Sequence, residues 1–149
     1  MTEEDVLLAA AAYVVINGNR KKKRKVWVRP SLQDRHECGG IQLMNALRND
    51  DLITDGQHLK NFLRLSHSDV EYLLRSIDPI IRKADTNCRA AISSLERLLV
   101  TLRFLATGDS YHSLMYLFRI SKQAISEIIS ATCNAIVEVL QDQVMVRHF

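Results

Sequence analysis

From residue 65 to residue 140 apolar side chains recur every three or four positions, the spacing of helices that each bury one face. Ser66 stands before the first run, with Leu65 ahead of it and Val70 four residues later, which predicts an N-cap with a hydrophobic staple. Val70, Leu73, Leu74 and Ile77 continue the stripe. Pro79 disfavours helical geometry at Asp78, so this helix is expected to end or kink there, with a polar loop from Lys83 to Arg89. Ser93-Ser-Leu-Glu96 is a capping-box pattern, and Leu95, Leu98, Leu99, Leu102 and Leu105 follow it on one face. Gly108 supplies a left-handed residue to stop that helix. A third helix is expected from Tyr111 to Phe118 after Ser110. Ser121 then caps a fourth, long one with Ile125, Ile128, Ile129, Ile136, Val139 and Leu140 as its stripe.

The pattern is less regular upstream. Val6 to Ile16 is an unbroken run of 11 apolar residues. A bilayer-spanning helix needs about 20, and a signal peptide would have bases before the run and small residues after it. Here Glu3, Glu4 and Asp5 precede the run and suit the positive end of a short helix that Gly18 would stop. The only tryptophan, Trp27, is expected either to anchor on the helical body or to stack on a base. Residues 31–64 read as short helices broken at Gly39-Gly40 and around Asp50 to Gly56, and Lys25 to Arg29 is the longest strand-like segment.

Composition narrows the class. The chain has 149 residues, 47% hydrophobic and 25% charged, which is the balance of one folded domain. Five glycines and two prolines are too few for an all-β fold with its frequent turns. Cys38, Cys88 and Cys133 are odd in number and far apart, which fits a reducing compartment better than a disulfide framework; Cys88 and Cys133 are expected to pack in the core. His36, His58, His67, His112 and His148 show no metal-ligand spacing, and His36 with Cys38 is only a weak pair.

The net charge of +3 is unevenly spread. Residues 1–18 hold three acids and no base, whereas residues 19–30 hold seven bases: Arg20, Lys21, Lys22, Lys23, Arg24, Lys25 and Arg29. The other 119 residues carry 13 bases and 14 acids. The basic run suits a nuclear localisation signal, a DNA-backbone arm or a solvated linker.

The last two predicted helices, joined by Arg119-Ile120-Ser121, have helix-turn-helix dimensions over about residues 110–134. With Ile125, Ile128 and Ile129 turned inward, Gln123, Ser126, Glu127, Ser130 and Asn134 face outward and Lys122 lies on the flank. Gln123 can pair with adenine, Lys122 can reach guanine or phosphate, and Glu127 can accept from cytosine. Against this, Arg119 stands where glycine is usual and Met115 where a small residue is usual. The stretch carries only Arg119 and Lys122 against Glu127, a net +1, although phosphate neutralisation supplies much of DNA affinity. Spacing alone leaves DNA reading and a simple crossing of two core helices both open.

Three segments carry a resemblance. They are Asp85-Thr-Asn-Cys-Arg-Ala-Ala-Ile-Ser93, the run from Glu96 to Tyr111, and Phe118-Arg-Ile-Ser-Lys-Gln-Ala-Ile-Ser-Glu-Ile-Ile129 with Ser113 before it. Together they resemble the amino-terminal region of PIF/Harbinger transposases and of the Harbinger transposase-derived nucleases. Trp27-Val-Arg-Pro30, Asn61-Phe-Leu-Arg-Leu65 and the acidic-apolar-basic beginning extend the similarity over nearly the whole chain. The resemblance implies a helix-turn-helix ahead of an RNase H-like nuclease domain whose three acids bind two divalent metals. It also makes Arg119 an expected residue at its position. None of the family's catalytic motifs aligns to a position here, so neither a catalytic residue nor a metal ligand carries over. This chain is expected to be a non-catalytic front end without its own cofactor: a fragment, a truncated copy or a separate gene product.

The expected fold is all-α. A helix over 1–18 and a basic arm over 19–30 precede a compact bundle of five or six helices over 31–149. The expected function is DNA binding and targeting in the nucleus, carried by Arg119, Lys122, Gln123, Ser126 and Glu127 with Arg20, Lys21, Lys22, Lys23, Arg24 and Lys25. The alternative is a protein-interaction module. The resemblance implies a Myb-like partner that supplies DNA binding and nuclear import, without which the chain would stay cytoplasmic. No membrane partner is expected.

Overall fold

The computed structural model describes residues 4–9, 13, 26, 28–33, 35–54, 57–85 and 90–145. Among them there is no strand, and the described residues from 35 onward are all helix and connection. A 3-10 turn at Pro30–Leu32 leads into seven α-helices: α1 (Arg35–Cys38), α2 (Gly40–Thr54), α3 (His58–Leu63), α4 (His67–Ile81), α5 (Ser94–Thr107), α6 (Tyr111–Phe118) and α7 (Lys122–Met145). Residues 4–9 are also helical, with Val6, Leu7 and Leu8 exposed. The expected helix stop at Gly18, the bases Arg20 to Lys25, Trp27 and Cys88 lie outside the described residues. Val26, Val28 and Arg29 are not in a strand.

The helices begin where their caps dictate. Ser66 accepts the Asp69 amide while Asp69 accepts the Ser66 amide, and Ser93 and Glu96 repeat the arrangement at α5, so each box satisfies two amides at a helix start. Ser110 caps α6 through the Ser113 amide, and Ser121 caps α7 through the Ala124 amide. Gly108, at φ 66°, ends α5 in the left-handed conformation that glycine adopts freely.

Three expectations are corrected. The break sought from Asp50 to Gly56 is shorter, because α2 runs on to Thr54. Asp51 holds the next helix in place, accepting the amides of His58 and Leu59 at 2.7 and 3.0 Å, so one helix caps its successor. Of the two outcomes expected at Pro79, an end or a kink, the end does not occur, since α4 continues to Ile81. So near the helix end the missing proline donor forfeits one bond only, and the Arg82 amide still reaches the Asp78 carbonyl at 3.0 Å. Seven helices replace the five or six expected, because the stretch before residue 64 holds three of them.

α5 is the hub, packed against α2, α3, α4, α6 and α7. Eight of its first nine residues are therefore buried, including Glu96, Arg97 and Thr101, while Leu105, expected inside, is 60% exposed. Burying charges here requires partners. Arg35 donates from α1 to the Ala90 and Ala91 carbonyls at 3.3 and 3.1 Å and approaches Glu96 at 3.5 Å. Arg97 donates to the Ile92 carbonyl at 3.0 Å. These bonds pin the segment entering α5. On the far side Arg103 stacks 4.5 Å above the Phe62 ring, donates to the Phe62 carbonyl and pairs with Asp109. Gly40 is required by contact, since a Cβ there would lie 2.0 Å from Cδ1 of the fully buried Phe118.

α7 is long and apolar enough to cross a bilayer by length and composition. Its residues Ile125, Ile128, Ile129, Thr132 and Ala135 are instead buried in the body of the molecule, where α7 packs against α4, α5 and α6.

Candidate functional site

The site is built on α6, the three-residue connection and the start of α7. α6 buries Leu114, Met115 and Phe118 and leaves Tyr116 exposed. Met115 therefore belongs to the packing between α6 and its neighbours, where a smaller residue was expected. Arg119 adopts the left-handed conformation, φ 55° and ψ 34°, so it takes the glycine-like role at this position at some steric cost. Ile120 is buried and locks the connection to the core, and Ser121 starts α7.

The inward and outward faces of α7 fall as the spacing predicts. Ile125, Ile128 and Ile129 are buried, whereas Lys122, Gln123, Ser126, Glu127, Ser130 and Asn134 are exposed. Further along, Ile136, Val139 and Leu140 are half-buried. Burial raises the pKa of the Cys133 thiol, so this half-buried cysteine stays a thiol. Lys122 occupies the first turn of α7, which contains no acid. A cation at the positive end of a helix costs about 0.3–1 kcal/mol. Helix stability therefore does not account for Lys122 at this position.

Arg119 does not simply face solvent with the others. Its Nη1 donates to the Ser31 carbonyl at 2.9 Å, across 88 positions of sequence. That bond ties the 3-10 turn at Pro30–Leu32 to the connection between α6 and α7, and Leu32 is buried in the core beside it. Arg29, the last base of the sequence's basic stretch, is exposed at the start of this turn. Nothing in the sequence pairs position 31 with position 119, so only the structure brings this segment to the candidate face. The six bases from Arg20 to Lys25 lie outside the described residues.

The remaining candidate chemistry is sparse. Among the described residues no group of three or more His, Cys, Asp or Glu side chains converges as metal ligands would. Cys38 is exposed. No protein-family model matches the chain, and neither do curated proteins or solved structures.

Proposed function

We propose that this chain is the DNA-targeting, non-catalytic amino-terminal module of a Harbinger-type transposase or of a nuclease derived from one, acting in the nucleus. In this reading α6 and α7 form a helix-turn-helix. Gln123, Ser126 and Glu127 meet base edges, Lys122 reaches guanine or phosphate, and the bases from Arg20 to Lys25 neutralise phosphates nearby. The observation that carries it is the polar, exposed first two turns of a capped helix whose opposite side is fully buried. Lys122 at the helix's positive end and the Arg119–Ser31 bond support it, since both bring positive or arm-proximal chain to one place. Arg119 acts here by positioning the root of the arm.

The low charge of the face favours a second reading, docking of a Myb-like DNA-binding protein. Residues 110–134 carry a net charge of only +1.

A salt titration of DNA binding separates the two. If about five bases of the arm contact phosphates, they contribute about −4.5 to the slope of log K against log[salt], and alanine at positions 20 to 25 removes most of that contribution. A slope that does not change on neutralising the arm removes the arm from the mechanism. Absence of DNA binding together with capture of a Myb-like partner replaces the first reading by the second.

A further inference from the structure

The carboxyl end of α4 and the amino end of α5 border a groove of about 630 Å³. Arg75, Arg82, Lys83, Asp78, Ser93 and Ser94 line it together with two leucines. The three bases face a single acid, and that acid is already engaged. Asp78 accepts from the Ser94 hydroxyl and is ion-paired with Arg82 one turn on, and these bonds hold its carboxyl below the usual carboxylate range. Arg82 therefore answers to Asp78.

Arg75 and Lys83 are not accounted for in this way. Arg75 lies 3.7 Å from Glu71, at the edge of ion-pair distance, and is 82% exposed; Glu71 also sits 3.1 Å from His67. An exposed i,i+4 pair of this kind contributes little. Lys83 is exposed and makes no ion pair with a described residue. The lining thus holds three bases and one acid, a net charge of +2 that Glu71 beside Arg75 partly offsets. An excess of one sign of charge in a cleft raises the potential that an approaching counter-ion meets. Its openness suits a chain passing through better than a small anion enclosed on all sides.

We infer that this groove binds the phosphodiester backbone of a nucleic acid, with Arg75 and Lys83 each contacting a phosphate. The inference rests on the DNA-binding reading above but assigns a second surface, one that contacts phosphate and reads no bases.

The test uses the full chain and a fluorescently labelled 20-base-pair duplex of random sequence. Arg75→Gln and Lys83→Gln together remove two contacts, so the salt slope becomes shallower by about 1.8, while the melting temperature stays within experimental error. The single variants each account for about half of that change. An unchanged affinity and slope in the double variant, with binding still lost on neutralising positions 20 to 25, overturns the groove and leaves the arm standing. Loss of binding in the groove variant, with no effect from the arm or from Lys122 and Gln123, supports the groove and overturns the helix-turn-helix reading. Two further arms identify the source of phosphate. Saturable binding of inorganic phosphate that competes with the duplex at constant ionic strength makes this a free-phosphate site and overturns the backbone assignment. So does binding to phosphatidylserine vesicles that the double variant loses while keeping its affinity for DNA.

Discussion

At the scale of single residues, Gln123 and Ile128 separate recognition from folding on one helix. Gln123 is exposed, so Gln123→Ala should change stability by no more than about 0.5 kcal/mol. Ile128 is 2% exposed, and Ile128→Ala should cost about 2–5 kcal/mol through the cavity it leaves, as read by denaturant unfolding. If α7 reads bases, Gln123→Ala also relaxes preference at one base pair by about 1–3 kcal/mol in a binding-site selection. If the face docks a protein, that substitution leaves DNA binding alone and weakens the pull-down of the partner. Arg119 allows a sharper test. Arg119→Gly relieves a left-handed backbone, about 1–2 kcal/mol, while forfeiting a hydrogen bond of about 0.5–1.5 kcal/mol, so stability should hardly move. As a positioning residue it should weaken DNA binding only while the arm is intact. A double-mutant cycle with positions 20 to 25 neutralised measures this, and an undiminished effect in the neutralised background would make Arg119 a direct contact instead.

At the scale of elements, the entry to α5 concentrates several roles in one acid. Glu96 completes the capping box with Ser93 and is the carboxylate nearest the buried Arg35. It also lies beside Arg97, whose ionisation is disfavoured by burial and supported by Glu96. Removing one partner of a buried charge pair costs more than the pair itself contributes, because the other charge stays buried. Glu96→Ala should therefore destabilise the chain by about 3–5 kcal/mol in chemical denaturation. Glu96→Gln keeps part of the cap and should cost less. A loss below about 1 kcal/mol for the alanine variant would mean that Arg35 and Arg97 find solvent or other partners. α6 and α7 show a different economy, in that each is capped by its own serine and the connection between them is held by the burial of Ile120.

At the scale of the whole molecule, acid stability should follow three aspartates on different elements. Asp51 is lowered chiefly by the Leu59 amide, Asp69 by the Ser66 hydroxyl and Asp78 by the Ser94 hydroxyl. Each has a folded pKa below its ordinary value of 3.8, so the unfolded chain binds more protons across that window. Their stabilisation is fully present above about pH 4 and is lost as pH falls through the folded values. Thermal unfolding from pH 7 to pH 2.5 should show a melting temperature that drops below about pH 4, and Asp51→Asn should make that drop shallower. An identical acid limb in the variant would show that Asp51 does not hold α3 to α2.

Local chemistry made part of this molecule legible without coordinates. Ser66, Ser93, Ser110 and Ser121 mark four helix starts because a cap needs only a side-chain oxygen three residues from an amide, and Gly108 marks a stop because its backbone alone adopts that turn cheaply. The inward isoleucines and outward polar residues of α7 follow from helical periodicity in the same way. What periodicity cannot show is which faces meet. The burial of Glu96, Arg97 and Thr101 reflects α5 being surrounded by five other helices, and Leu105 is exposed although it continues the apolar spacing. The left-handed Arg119 and its bond to Ser31 join residues 88 positions apart, and the cationic groove between α4 and α5 arises only where two helix ends converge. Capping and amphipathicity are set within a few residues, whereas burial of charge and convergence of surfaces depend on packing, which only the tertiary structure decides.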